Sequence, residues 1–408
     1  VFRNANVPAR PTSYYEATTL PEFWRALSDD CLEAGIGCDV IAIPHNSNES
    51  DGHDFRLAFP EGSTLEEQRE LSALIERLEP VVEVYQHKGS SECFSAFTSD
   101  EDCDFENLNL ELCGGDGSEA GFHCAAKSDY VREALAIGLG EWRRLGVNPI
   151  RLGMVASTDT HNATPGKTDE GTFNGHGGTN DGDAVDRLMH HSEFSPAGLT
   201  GVWAYENSRD ALFDALQRRE TFGTSGTRIS VRLFGAWSWP NGLCDDDDES
   251  FLTAAYRDGV PMGATLPPPA KAGGAPVFAI KAQKDETLLK RVQIVKVWID
   301  AEGNSKERVF DVAGDFSGSA TVDTATCEPQ GEGFETLCGT WSDTDFDASL
   351  PAAYYARVLE NPTCRWSTYA CNALPAVYRP TICDSPQIIE ERAWSSPIWY
   401  EPKVSNAS

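Results

Sequence analysis

Gly153-Met154-Val155-Ala156-Ser157-Thr158-Asp159-Thr160-His161-Asn162 reads as a short apolar strand that runs out into Asp-x-His. Side chains alternate faces along an extended chain, so Asp159 and His161 fall on the same side. A carboxylate oxygen and an imidazole nitrogen converging at a strand end suit a divalent cation such as Zn, Mn or Fe. An isolated Asp-x-His is as readily a capping acid beside a surface histidine, so the reading leans on the same layout recurring upstream.

That layout is helix, break, apolar strand, polar tip. The first copy opens at Pro21 with Phe23, Leu27 and Cys31 on one face, stops at Gly35 and Gly37, and continues as an apolar strand over residues 38–43 that ends in Pro44-His45-Asn46-Ser47. The second starts with a capping box at Ser63-Thr64-Leu65-Glu66 and carries Leu71, Leu74, Ile75 and Leu78 as its buried stripe. Pro80 ends it, and Val81-Val82-Glu83-Val84-Tyr85 leads to the tip Gln86-His87-Lys88-Gly89-Ser90-Ser91-Glu92. The third begins near Ser128, with Val131, Leu135, Leu139 and Trp142 on one face, stops at Gly146, and feeds the Asp159 strand. Buried strands alternating with helices imply a parallel sheet or barrel whose chemistry gathers at the carboxyl ends of the strands.

Residues 93–126, rich in Cys, Gly and acid, interrupt this pattern as a disulfide-pinned insertion, and residues 162–207 form a long Gly-rich connection containing His176, His190 and His191. A fourth helix over residues 208–219 carries Leu212 and Leu216. Beyond residue 226 the texture changes to alternating strands, as in residues 228–234 and 292–299, separated by Pro/Gly-rich segments such as residues 267–276. The expected division is an α/β portion over residues 1–226 and a β-rich, sandwich-like portion over residues 227–408 whose last segment packs back on the first.

The chain has 408 residues, ample for a large core, and a formal charge of -31 that disfavours a phosphate backbone as partner. Mean hydropathy is -0.38, and no apolar run approaches membrane-spanning length. Nucleic acid and membrane are therefore not expected partners. The acidic run Asp245-Asp246-Asp247-Asp248-Glu249 lacks the spacing of an EF-hand. Twelve cysteines without a Cys-x-x-Cys pair read as disulfides in an oxidising compartment, periplasmic or secreted, with their connectivity open.

Several stretches together resemble the DUF3604 family and, more distantly, the PHP (polymerase and histidinol phosphatase) superfamily. They are Pro44-His45-Asn46-Ser47, Gln86 to Glu92, Ser157 to Asn162, Thr221-Phe222-Gly223-Thr224-Ser225-Gly226, Asn361-Pro362-Thr363-Cys364-Arg365-Trp366-Ser367 and Ala393-Trp394-Ser395-Ser396-Pro397-Ile398-Trp399-Tyr400. The resemblance implies a distorted (β/α)₇ barrel holding two or three divalent metals and hydrolysing phosphate esters. It implies His45, Asp159 and His161 as metal ligands and Glu83 as a strand residue supporting the site. The His-x-His pair that such proteins carry on their first strand is missing: the histidines stand at 45, 53, 87, 123, 161, 176, 190 and 191. The expectation is a partial barrel, completed by an upstream segment, or a lineage without most of the metals.

Further candidates surround these ligands. Lys88 and Glu92, with Glu83, are the expected catalytic carriers, and Asn46, Gln86, His87, Asn162, Thr224 and Ser225 the expected substrate contacts. His87, Lys88 and Glu92 as phosphate contacts compete with a plain solvated turn. Thr224, Ser225 and Gly226 as an anion-binding turn compete with an ordinary one. The expected activity is metal-assisted hydrolysis of a small-molecule ester or phosphoester by activated water. A catalytically silent PHP-like binding protein, and an acidic extracellular protein binding Ca²⁺ or a glycan, are the alternatives.

Overall fold

The computed structural model describes residues 1–269 and 274–403. Seven α-helices lie among them: α1 (Leu20–Leu27), α2 (Leu65–Leu78), α3 (Val131–Leu145), α4 (Ala184–His190), α5 (Arg209–Gln217), α6 (Asp248–Asp258) and α7 (Trp366–Ala373). The first three form where the apolar stripes fall. In α1 a capping box joins Thr19 and Glu22, and Trp24 and Leu27 are buried. The box on α2 sits one residue later than expected, between Thr64 and Glu67, with Thr64 in the extended conformation that an N-cap requires. Helix α3 buries Val131, Leu135 and Leu139 and ends at Gly146.

The expected (β/α)₇ barrel is not formed among the described residues. Only one parallel pair follows from the repeat, Val81–Gln86 beside Gly153–Ala156. Residues 38–43 run alongside as extended chain with a single bridge, Val40 to Phe2, and Pro44 accepts from the Glu83 N–H. Apart from a short parallel pair inside the Cys-rich insertion, Glu111–Leu112 beside Cys124–Ala125, the other strands form antiparallel sheets. Seven strands make the largest, in the order Ser305–Gly314, Leu289–Ile299, Ala352–Glu360, Arg392–Ser395, Thr221–Thr224, Leu199–Val202, with Ile398–Tyr400 also on Ala352–Glu360.

The reason lies at the free edge of Gly153–Ala156, where a barrel would need another parallel strand. Side-chain hydroxyls occupy that edge instead. Ser396 Oγ accepts from Met154 N at 2.8 Å, Thr221 Oγ1 donates to Met154 O at 3.0 Å, and Thr200 Oγ1 both accepts from Ala156 N and donates to Ala156 O. Backbone groups satisfied this way have no ladder left to offer. The approach needs Gly153, since a Cβ there would stand 2.7 Å from Ser396 Oγ.

The seven-stranded sheet is covered on both faces, which is why every residue of Ala352–Glu360 is buried. One face packs Val295, Tyr355 and Trp394 against Val82, Met154 and Leu135; the other packs Ile294, Tyr354 and Ala393 against Leu233 and Phe278. The second set belongs to a four-stranded sheet, ordered Thr336–Ser342, Val277–Gln283, Ser230–Ala236, Val260–Pro261. Of the Pro/Gly-rich segment 267–276, residues 270–273 lie outside the described residues.

All twelve cysteines are paired: Cys31–Cys38, Cys93–Cys103, Cys113–Cys124, Cys244–Cys338, Cys327–Cys364 and Cys371–Cys383. Six disulfides place the chain in an oxidising compartment. Among the described residues no helix is long and apolar enough to cross a membrane. The acidic run at 245–249 has ordinary structural duties, since Asp247 caps α6 and Asp248 pairs with Lys281.

Candidate functional site

The parallel pair aims its carboxyl ends at one region, and the loops beyond those ends build the site. The Gly153–Ala156 strand stops three residues before Asp159, so strand alternation is not what brings Asp159 and His161 together. A left-handed turn does it: Asp159 has φ 45°, a conformation that non-glycine residues hold only where their surroundings impose it. Its carboxylate then lies between two imidazoles, with Oδ2 3.6 Å from His87 Nδ1 and Oδ1 3.7 Å from His161 Nε2.

A third imidazole joins them. The His176 ring centroid is 4.5 Å from that of His87, and the His161 N–H donates to the His176 carbonyl at 3.0 Å. Asp181 fixes this part of the long connection by accepting from the His176 and Gly177 N–H groups, and Gly175 leaves room for it: a Cβ there would stand 2.4 Å from the Asp181 carboxyl carbon. His176 Nε2 lies 2.5 Å from the Ser195 carbonyl, which can only accept, so the proton is on Nε2 and Nδ1 carries a lone pair. Burial lowers the pKa of His176 to about 4 and is also the main influence lowering that of His87, against the opposing pull of Asp159. Both rings are neutral near pH 7. His87 Nδ1 and His176 Nδ1 are buried without a hydrogen-bond partner.

These buried nitrogens have the chemistry of cation ligands, neutral imidazoles beside a carboxylate with the other nitrogen of His176 anchored on a backbone carbonyl, but no three ligand atoms of His87, Asp159, His161 and His176 lie within 4.8 Å of one another. Sequence reading gave His87 a substrate role and left His176 in its loop. The local signal for His176 is its setting, Gly175-His176-Gly177-Gly178, which marks a tightly held backbone.

The remaining candidates separate into two groups. His45 is exposed, and Glu83 is buried with Ser157 Oγ donating to one oxygen and Gln86 Nε2 to the other at 2.9 Å. Gln86 also donates to His45 O at 2.7 Å and to Asn46 Oδ1, so it ties the two strand ends together. Burial raises the pKa of Glu83, opposed by its bond from Ser157. His45, Glu83, Ser157 and Asp159 line a groove of about 490 Å³ together with the apolar Val202, Leu212 and Leu216.

In the other group the side chains are engaged elsewhere. The Lys88 ammonium is buried and paired with Glu49 at 2.7 Å. Glu92 sits in a closed ionic network: Arg132 at 2.7 Å, Arg357 at 3.2 Å, the Tyr355 hydroxyl at 2.6 Å and the Trp394 indole at 2.7 Å. Arginine holds its carboxyl far below the usual carboxylate range. Asn162 knits the long connection, donating to Gly175 O at 2.6 Å and accepting from Thr164 Oγ1. At the turn expected to bind an anion the N–H groups are already used, Ser225 N on Arg392 O and Gly226 N on Thr224 Oγ1, and the Ser225 hydroxyl donates to Glu391.

Among the described residues, one set of three potential ligand atoms lies within 4.8 Å of one another, Cys93, Asp100 and Cys103. It offers no metal site, since the cysteines form a disulfide and Asp100 pairs with Arg132 and Arg357. His45, Asp159 and His161 do not close to that distance as a set.

A strand-rich chain of mostly antiparallel sheets with seven α-helices among the described residues, pinned by six disulfides and carrying an aspartate between histidines, defines the class. The chain belongs to the DUF3604 family, described as "protein of unknown function (DUF3604)", whose family profile matches residues 1–402. No curated protein and no solved structure matches it.

Proposed function

We propose that this chain is a metal-dependent hydrolase of small-molecule esters, phosphoesters first among them, acting in the periplasm or outside the cell. The observation that carries the reading is Asp159, held in a left-handed backbone between His87 and His161 while the buried His87 and His176 nitrogens lack partners. Kinship with the PHP hydrolases is proposed on the shared motifs alone and does not extend to their barrel.

His87, Asp159, His161 and His176 would hold a divalent cation, Zn, Mn or Fe, whose charge would acidify water and draw electron density from the ester oxygens. Glu83 lines the groove with its proton affinity raised by burial, as suits a group that takes a proton from the attacking water. Asp159 belongs to both the cluster and the groove, and the groove's apolar residues Val202, Leu212 and Leu216 suit the hydrocarbon part of a substrate. Lys88 and Glu92 have no part in this scheme.

The spread of the ligand atoms favours a second reading, a binding protein that does not turn its ligand over. Metal content after purification without chelators, followed by turnover of 4-nitrophenyl phosphate and 4-nitrophenyl acetate with added Mn or Zn, separates the two. About one equivalent of metal or more, and turnover lost in Asp159→Asn, supports the hydrolase. Bound metal without turnover of any ester supports the binding protein. No metal uptake at all overturns both.

A further inference from the structure

A second cavity, of about 390 Å³, has Gly226, Thr227 and Arg228 in its wall. Six carboxylates, among them Glu170, Glu360 and Glu391, line it against two basic side chains, Lys167 and Arg228. It uses none of the residues assigned to ester hydrolysis. Gly226, Thr363 and Cys364 in its wall come from two of the stretches that carried the family resemblance without finding a role in the first site.

The acidic wall alone would be a solvated surface; Glu360 makes it more. That residue is completely buried at the end of Ala352–Glu360, and neither carboxylate oxygen has a hydrogen-bond partner. The Thr227 hydroxyl of the same cavity is likewise buried without a partner. The nearby cation Lys284 donates instead to the Asp285 and Glu286 carbonyls. A buried carboxylate with no donor is unfavourable unless it is protonated or meets a cation. Glu360 and Glu391 are both pushed up to about 8, chiefly by burial, so each gains a great deal from a cationic partner.

Geometry chooses between a metal and an organic cation. Among the described residues no three carboxylate oxygens of this cavity lie within 4.8 Å of one another, whereas a Ca²⁺ ion gathers its oxygens at about 2.3–2.6 Å. A cavity of this volume with dispersed acceptors suits a donor that branches. From this we infer that the cavity is a binding site for a primary alkylammonium compound, whose N–H donors reach Glu360 and the Thr227 hydroxyl. Tyr369 also lines the wall. The net charge of -31 concentrates such cations near the surface.

The test is calorimetric titration of the intact chain at pH 7.5 with 1,4-diaminobutane, with 1,4-butanediol as the neutral isostere and CaCl₂ as the metal. Diaminobutane is expected to bind, butanediol not, and Glu360→Gln to weaken the amine at least tenfold. Running the titration in two buffers of different ionisation enthalpy reads protons released as the carboxyls ionise, which a surface association would not give. Glu391→Gln serves as the second variant should Glu360→Gln fail to fold. Amine binding unchanged in the folded variant, Ca²⁺ binding more tightly than the amine, or no amine binding at millimolar concentration overturns the assignment.

Discussion

His87 Nδ1 stands 3.6 Å from Asp159 Oδ2, a buried nitrogen without a hydrogen-bond partner facing a carboxylate that a left-handed turn delivers to it. The pair joins the loop that follows Val81–Gln86 to the loop that follows Gly153–Ala156.

If that pair holds a metal, His87→Ala removes a ligand and not merely a neighbour. Changes to groups that only orient a metal ligand cost about 10–100-fold in affinity, so loss of the ligand is expected to weaken Zn binding at least that much. Equilibrium dialysis against buffered Zn measures it. His190→Ala is the control, since His190 lies in the same connection but is exposed and pairs with Asp186. Equal affinities in the two variants would remove His87 from the site.

Glu92 tests the boundary between chemistry and architecture. Its carboxylate neutralises Arg132 and Arg357 and takes bonds from Tyr355 and Trp394, all of them buried. Glu92→Gln leaves two buried guanidiniums short of charge, and breaking such a network costs about 3–5 kcal/mol. Urea unfolding is expected to show that loss, with turnover per folded molecule unchanged. A fall in turnover at an unchanged urea midpoint would return Glu92 to catalysis.

The same residue shows what sequence can and cannot carry. The stripes of α1, α2 and α3 were legible because 3.6-residue periodicity is local. The apolar runs of Val81–Gln86 and Gly153–Ala156 and the alternating strands beyond residue 226 were legible as local patterns too. The barrel was not, because whether Gly153–Ala156 takes another strand is decided by Thr200, Thr221 and Ser396, hydroxyls distant in sequence that close its edge. Glu92 looked like a strand-tip acid because its partners, Arg132, Arg357 and Trp394, lie far along the chain. His176 reaches His87 only through the folding of the long connection.

The disulfides differ in what they hold. Cys244–Cys338 closes a separation of 94 residues and ties the turn before α6 to the Thr336–Ser342 strand, whereas Cys31–Cys38 closes 7. Loop-closure entropy assigns the long loop about 4–5 kcal/mol and the short one about 2. Paired Cys→Ala variants are expected to keep that order in thermal unfolding. The reverse order would show that native packing, not chain entropy, sets their worth.

Glu79 gives the chain a pH dependence of its own. It follows α2 and accepts from the Trp24 indole at 2.7 Å, and burial pushes its pKa from 4.5 up to about 7, with Asp54 adding to the rise and the indole opposing it. A carboxyl raised in the folded state binds its proton more tightly there than in the unfolded chain, so stability falls as pH rises from about 4.5 to about 7. The contribution is full below that window and absent above it. Glu79→Gln keeps an acceptor for the indole but cannot ionise. It is expected to unfold at higher urea than the parent at pH 8, with the gap closing toward pH 4.5, since every other titrating group is common to both chains. Parallel stability curves for the two proteins across that range would mean that Glu79 is ionised without penalty, and that the α1 to α2 contact is wetter than its packing indicates.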